Sequence, residues 1–270
     1  MGCMAEAGPL SADEICRGLI TRRIPSRVLV LDSVTSSNDV AWEHVGRGPA
    51  DGLAVFAEHQ ASGRGRLGRV WHSPRGAGVL CSVVLDDAAG ALKGGLVGLI
   101  CGVAACDAVR AATHVPVELS WPNDLVARGR KLGGILVESR PGVRGGRVFV
   151  AGIGINCLQH RGHFPPDLRK RATSLDLESS HPIDRTRVAR ALLQQLDAWL
   201  VDPRSLRPEV VCERWCARAV GLGQRIRLRH DGREYVGVVV DVDPTSALVV
   251  QLDQGPRMLF DAEGTTVVDA

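Results

Sequence analysis

The 270-residue chain lacks a strong charge imbalance, a long hydrophobic run and any paired-cysteine motif, and each absence removes a class of function. Its 33 basic residues are nearly matched by 30 acidic ones, leaving a formal net charge of +3. That is too weak for bulk nucleic-acid binding, so any cationic function must be local. The most apolar segment, Gly94 to Cys106, is flanked by Lys93 and Asp107. It falls short of the roughly 20 residues that span a bilayer, and no membrane partner is expected. The N-terminus, Met1-Gly2-Cys3-Met4-Ala5-Glu6, has neither the basic n-region nor the apolar h-region of a signal peptide. Glu6 stands where a myristoylation signal needs Ser or Thr. The cysteines (Cys3, Cys16, Cys81, Cys101, Cys106, Cys157, Cys212 and Cys216) form no Cys-x-x-Cys pair, and nothing completes a zinc site around Cys212 and Cys216. They read as reduced structural thiols of a cytoplasmic protein. No internal repeat, low-complexity segment, Ser-His or Cys-His signature is evident.

What is present is a globular composition, 45% apolar and 23% charged, enough for one large or two ordinary domains. Residues 1–27 form a short lead, with a capped helix start at Leu10 to Ile15. Strands are expected at Arg27–Leu31, Leu53–Ala57, Val79–Leu85, Val117–Trp121, Leu125–Ala127, Lys131–Ser139 and Arg147–Asn156. Ser36-Ser37-Asn38-Asp39 offers N-cap chemistry for a helix to about Val45. Leu92, Leu96, Leu99, Ile100, Val103 and Val109 recur at helical spacing and predict a core helix. Asp184 caps a helix from about Arg185 to Leu200, and another covers about Leu206 to Ala219. From about residue 221 the pattern becomes short strands with turn signals, a small all-β unit ending the chain. The main domain is therefore 28–220 and the second 221–270.

Four islands carry chemistry. In the first, Gly63-Arg64-Gly65-Arg66-Leu67-Gly68-Arg69, glycines alternate with arginines. Exposed N–H groups in such a loop form an anion-binding concavity, and guanidinium forks suit phosphate or carboxylate. Gly63-x-Gly65-x-x-Gly68 formally matches a dinucleotide fingerprint, but loop residues and a strand follow where a helix must open. The second island is Trp121-Pro122-Asn123-Asp124, where Pro122 ends a strand and Asn123 and Asp124 project; taken alone, ordinary turn chemistry is the better account of it. In the third, Lys131 opens a strand beside Gly133 and Gly134, as a reacting cation or a solvated strand end. In the fourth, Gly152-Ile153-Gly154-Ile155-Asn156, Asn156 is a site residue or a strand cap.

In this order and spacing the islands resemble the biotin protein ligases, which attach biotin to carboxylases. The matching pieces are Ser36-Ser37-Asn38, Gln60, Gly63-Arg64-Gly65-Arg66-x-Gly68-Arg69-x-Trp71, Trp121-Pro122-Asn123-Asp124, Lys131-Leu132-x-Gly134-Ile135-Leu136-x-Glu138 and Gly152-x-Gly154-x-Asn156. The resemblance implies an α+β fold of the class II aminoacyl-tRNA synthetase and biotin ligase type. That is a mixed sheet with helices on one face, followed by a small SH3-like barrel. It implies a two-step reaction: biotin and ATP give biotinyl-5′-AMP and pyrophosphate, and a lysine of a biotin carboxyl carrier domain then displaces AMP. Neither step needs an enzyme nucleophile; positioning and electrostatic stabilisation suffice. By resemblance, Ser36, Ser37, Asn38 and Gln60 bind biotin, together with Arg64, Gly65, Arg66, Lys131, Gly134 and Gly154. Arg66, Arg69, Trp71, Asn123, Lys131 and Asn156 bind the nucleotide. Arg64, Arg66, Lys131 and Asp124 are the catalytic candidates, Asp124 accepting a proton from the acceptor lysine or orienting it. Mg²⁺ is expected with the triphosphate. The loop is expected to close over ligand and exclude water.

Two departures stand out. The family usually has lysine before Trp-Pro-Asn-Asp; here it is Ser120, which removes a positive charge near the phosphates. Some members carry an N-terminal helix-turn-helix domain, and about 27 residues leave no room for one, so a ligase that is not a repressor, monomer or homodimer, is the expectation. The alternatives are a lipoate or octanoate transferase, opposed by the glycine–arginine loop, and a non-catalytic biotin sensor, opposed by Arg64, Arg66, Lys131 and Asp124.

Overall fold

The computed structural model describes residues 8–269. Its first unit runs α1 (Ala12–Cys16), β1 (Arg27–Leu31), α2 (Ser37–Arg47), β2 (Leu53–Ala57), β3 (Gly78–Asp87), α3 (Gly94–Thr113), β4 (Glu118–Ser120), β5 (Asp124–Ala127), β6 (Arg130–Pro141), β7 (Arg147–Asn156), α4 (Leu175–Glu178), α5 (Arg185–Val201) and α6 (Pro208–Cys216). The seven strands form one sheet in the order β1-β2-β3-β7-β6-β5-β4. Only β1 and β2 pair in parallel; the other neighbours are antiparallel, so the sheet is mixed, as expected. Arg128 and Gly129 both have positive φ and make the tight hairpin turn between β5 and β6.

The strands alternate between two environments. Ala54 and Phe56 of β2, and Ala151, Ile153 and Ile155 of β7, join α3 and α5 in the main core. Leu53 and Val55 of β2 and Val150 of β7 face the other way, onto Ala41 and Trp42 of α2. Burial on both sides explains why β2 reads as an unbroken apolar run. α3 is long and apolar enough to cross a membrane by length and composition, but it is buried between the sheet and α5. Asp184 caps α5 as its sequence predicts, accepting from the amides of Thr186 and Arg187. The lead is part of the core: Leu10, Ile15 and Ile24 are buried, and Asp197 of α5 accepts from the amides of Arg22, Arg23 and Ile24.

α6 is shorter than its apolar pattern implies. After Cys216 the chain runs alongside β4, where Leu119 exchanges backbone hydrogen bonds with Arg218 and Val220, and this pairing competes with further helix.

The second unit is an antiparallel sheet of β8 (Arg225–His230), β9 (Arg233–Val242), β10 (Leu248–Leu252), β11 (Arg257–Phe260) and β12 (Thr265–Asp269), ordered β11-β10-β9-β8-β12. β11 and β12 lie at opposite edges without pairing, so this SH3-like unit is not closed as a barrel. β12 was not legible in advance, because Thr265–Asp269 offers little alternation. The two units meet at Trp121, which packs against both cores and donates its indole N–H to the carbonyl of Ser246 at 2.9 Å.

Candidate active site

On the face of the sheet opposite α3, the centre has no side chains. Gly152 and Gly154 of β7 alternate with Ile153, and Gly134 of β6 pairs with Gly154. These glycines make the floor of a trough. Its first wall is the start of α2. Ser36 occupies the N-cap, yet its hydroxyl makes no cap bond, and Ser36, Ser37 and Asn38 are all buried. Gln60 Oε1 accepts from the Ser37 amide at 2.7 Å and its hydroxyl at 3.0 Å. Ser82 Oγ lies 2.7 Å from Ser37 Oγ and 2.6 Å from Asn38 Oδ1. Asn38 lies against Gly152, and its Nδ2 is buried with no hydrogen-bond partner among the described residues.

The opposite wall carries the charge. Lys131 Nζ donates to Asp124 Oδ1 at 2.6 Å and sits 5.9 Å from the Trp71 ring centroid. A Cβ on Gly134 would lie 3.5–3.6 Å from Trp71, Asp124 and Lys131, so the three converge there. Lys131 is held by its backbone: its amide donates to Arg171, and its carbonyl accepts from Thr173 at 2.8 Å. Glu178, buried, accepts from Arg130 at 2.6 Å and from the Thr173 hydroxyl, tying that segment to β6.

The glycine–arginine segment is a small hairpin. Arg64 bridges Val70, Gly65 donates to Arg69 at 2.7 Å, and the Trp71 amide donates to Gly63 at 2.9 Å. Leu67 and Gly68 turn the tip with positive φ. Arg69 is exposed. Arg66 is half-buried, and burial lowers its pKa. Arg64 is bound to carboxylates: it donates to Asp39 at 2.9 and 2.7 Å and to Glu138 at 3.3 Å. Those bonds hold the Asp39 carboxyl below its usual range.

Three of the residues expected to bind the nucleotide also have partners within the protein. Trp71, expected beside an adenine, lies on the floor: a Cβ on Gly154 would come within 2.8 Å of its indole. Asn123 braces its own turn, its side chain donating to the carbonyl of Ile135 at 2.6 Å. Asn156 is buried, donating to Thr173 and accepting from Gln159, and serves as a strand-end bracket in this structure. The structure also brings in residues that were not singled out as site residues. Ser82 is a polar break in the apolar run of β3, which is a visible signal. Asp39 and Glu138 sit beside matched motif residues. Nothing in the sequence marks Thr173 or Glu178.

The architecture, a mixed sheet with a glycine-floored trough, a glycine–arginine hairpin and a paired lysine and aspartate, defines a ligase of the biotin and lipoate class. The sequence profile of the Biotin/lipoate A/B protein ligase family matches residues 30–156, and that of the Biotin protein ligase C terminal domain matches residues 221–262. The bifunctional ligase/repressor BirA of Bacillus subtilis is 30% identical over 256 residues, 95% of this chain and 79% of that protein. The biotin–[acetyl-CoA-carboxylase] ligase of Mycobacterium tuberculosis is 38% identical over 227 residues, 81% of this chain and 76% of that protein. Among solved structures, the Leishmania major biotin protein ligase in complex with biotin matches with a TM-score of 0.61 and 27% identity, covering 88% of this chain and all of that one (100%). The Aquifex aeolicus enzyme in complex with biotin and ATP shares the fold, with a TM-score of 0.71 at 21% identity over 91% of this chain and 100% of that one. The chain belongs to the biotin protein ligase family.

Proposed function

We propose that this protein activates biotin with ATP and transfers it to a lysine of a biotin carboxyl carrier domain. The observation that carries the reading is the trough itself. A floor of Gly134, Gly152 and Gly154 carries no side chains of its own, Trp71 and Asn38 lie directly on it, and buried Ser, Asn and Gln groups line one end. Lys131, Asp124 and the hairpin stand at the other.

In the first step a carboxylate oxygen of biotin attacks the α-phosphorus of ATP, and the bond to pyrophosphate breaks. Lys131 supplies a fixed positive charge for the oxygens that gain charge, and half-buried Arg66 a second. In the second step the carrier amine attacks the acyl carbon, loses a proton and expels AMP. Asp124, held by Lys131, is the carboxylate placed to orient that amine or take its proton. The hairpin and Trp71 cover the floor and would keep water from the adenylate.

Among the described residues no group of three or more His, Cys, Asp or Glu side chains could hold a metal ion. Mg²⁺ would accompany the triphosphate and offset phosphate charge, with Asp124 one of the carboxylates beside the trough. The free thiols among the described residues support work in a reducing compartment such as the cytoplasm.

The test is incorporation of labelled biotin into a purified carrier domain with MgATP, wild type against Lys131→Ala. Transfer by wild type and its loss in the variant are expected. No transfer, and no biotin-dependent pyrophosphate release, would overturn the reading.

A further inference from the structure

Two arginines of the hairpin that were both expected at the ligand stand in opposite circumstances. Arg66 is half-buried and makes no ion pair among the described residues, though Glu263, Asp124 and Asp261 stand near enough to act on its charge. The Arg64 guanidinium is already met, by a bidentate bridge to Asp39 and a third bond to Glu138. Both acceptors are themselves held. Asp39 lies in the first turn of α2 and accepts from the Thr35 hydroxyl at 3.1 Å. Glu138 accepts from the Trp42 indole at 2.7 Å, and Arg140 covers the Trp42 ring at 4.2 Å. A substrate anion reaching Arg64 would have to displace a planar, two-point bridge and enter beside two carboxylates.

We propose that Arg64 is a positioning residue: Asp39 and Glu138 hold it, and the tether keeps the hairpin closed over the trough. The path from tether to floor is short. The Arg64 backbone pairs with Val70, the neighbouring Gly63 carbonyl accepts from Trp71, and Trp71 lies on Gly154. Releasing Arg64 frees the strand that places Trp71. Charge for the reacting oxygens is left to Arg66 and Lys131. Arg64 therefore governs how long ligand stays, and Arg66 how fast it reacts.

A charge swap decides it, comparing wild type, Asp39→Arg, Arg64→Asp and the double variant. Two quantities are read: KM for biotin against kcat in biotin- and ATP-dependent pyrophosphate release, and the rate of chymotrypsin cleavage after Leu67. Each single variant should raise KM about fivefold and speed cleavage with little change in kcat, and the double variant should recover part of both, since the carboxylate then at position 64 faces Glu138. Asp39→Arg matching wild type in both readouts would overturn the proposal. So would a double variant as poor as Arg64→Asp with kcat down about a hundredfold, since that marks direct contact with the reacting oxygens. The kinetic half rests on the biotin-activating reading. If wild type itself releases no pyrophosphate, that reading fails, and the cleavage rates still judge the tether.

Discussion

The two faces of β6 and β7 differ in everything except their strands. On one face Ile153, Ile155 and Ile135 pack against α3 in a dry core. On the other, in the same strands and one residue out of phase, Gly152, Gly154 and Gly134 carry no side chains and let Asn38 and Trp71 lie close on the sheet. Successive residues of a strand point to opposite sides, so a single segment builds both core and binding floor. The stability of the sheet and the capacity of the site are thus written on alternate residues, and substitutions should separate them.

The largest effect should come from filling the floor. Gly154→Val places methyl groups where the Trp71 indole lies 2.8 Å from a bare Cβ. Pyrophosphate release should fall at least ~100-fold, because displaced walls misalign the reactants. The melting temperature should change little. An active Gly154→Val protein would show that this face is not the substrate floor.

One residue earlier the outcome should invert. Ile153 is 2% exposed in the main core, and Ile153→Ala should cost about 3 kcal/mol by denaturant titration. The kcat of the protein that remains folded should be near wild type. Equal loss of activity in both variants would break the division between faces.

A smaller effect tests the charged wall. Ser120 is the cross-strand partner of Asp124, which in turn holds Lys131. Ser120→Lys would add a cation beside that pair and should lower KM for ATP ~3-fold, a partly exposed contribution that salt screens. No change at low ionic strength would make the serine neutral for nucleotide binding.

The smallest expected effect is no reaction. On the core side, burial pushes the Cys101 and Cys157 thiols up to about 12. The thiolate is the reactive form, and a raised pKa withholds it, so raising the pH from 7 to 9 should not open these thiols to a disulfide reagent in the native state. Unfolding should expose them. Rapid native reaction at either residue would show that the core face opens.

Much of this architecture was readable beforehand because the local signals agreed with the tertiary demand. β1, β2 and β7 fall where alternation and apolar runs place them, and Asp184 opens α5. Where a contact from elsewhere overrode the local pattern the outcome differed: α6 ends early to let Arg218 and Val220 pair with Leu119. The motifs were legible along the chain, but the attachments of their side chains were not. Asn123 donates to the carbonyl of Ile135, and Asn156 donates to Thr173 and accepts from Gln159. A side chain's partner across the fold is invisible to spacing along the chain.

By itself the sequence determined the family and most of the order of elements, because glycine, proline and charge have local physical consequences wherever they stand. Tertiary structure alone decided which of those residues meet. It set the glycines of two strands side by side as one floor, aimed Lys131 at Asp124, and turned Arg64 toward Asp39 and Glu138. Those pairings depend on strand register and on the angle at which α2 crosses the sheet, quantities that exist only once the chain is packed.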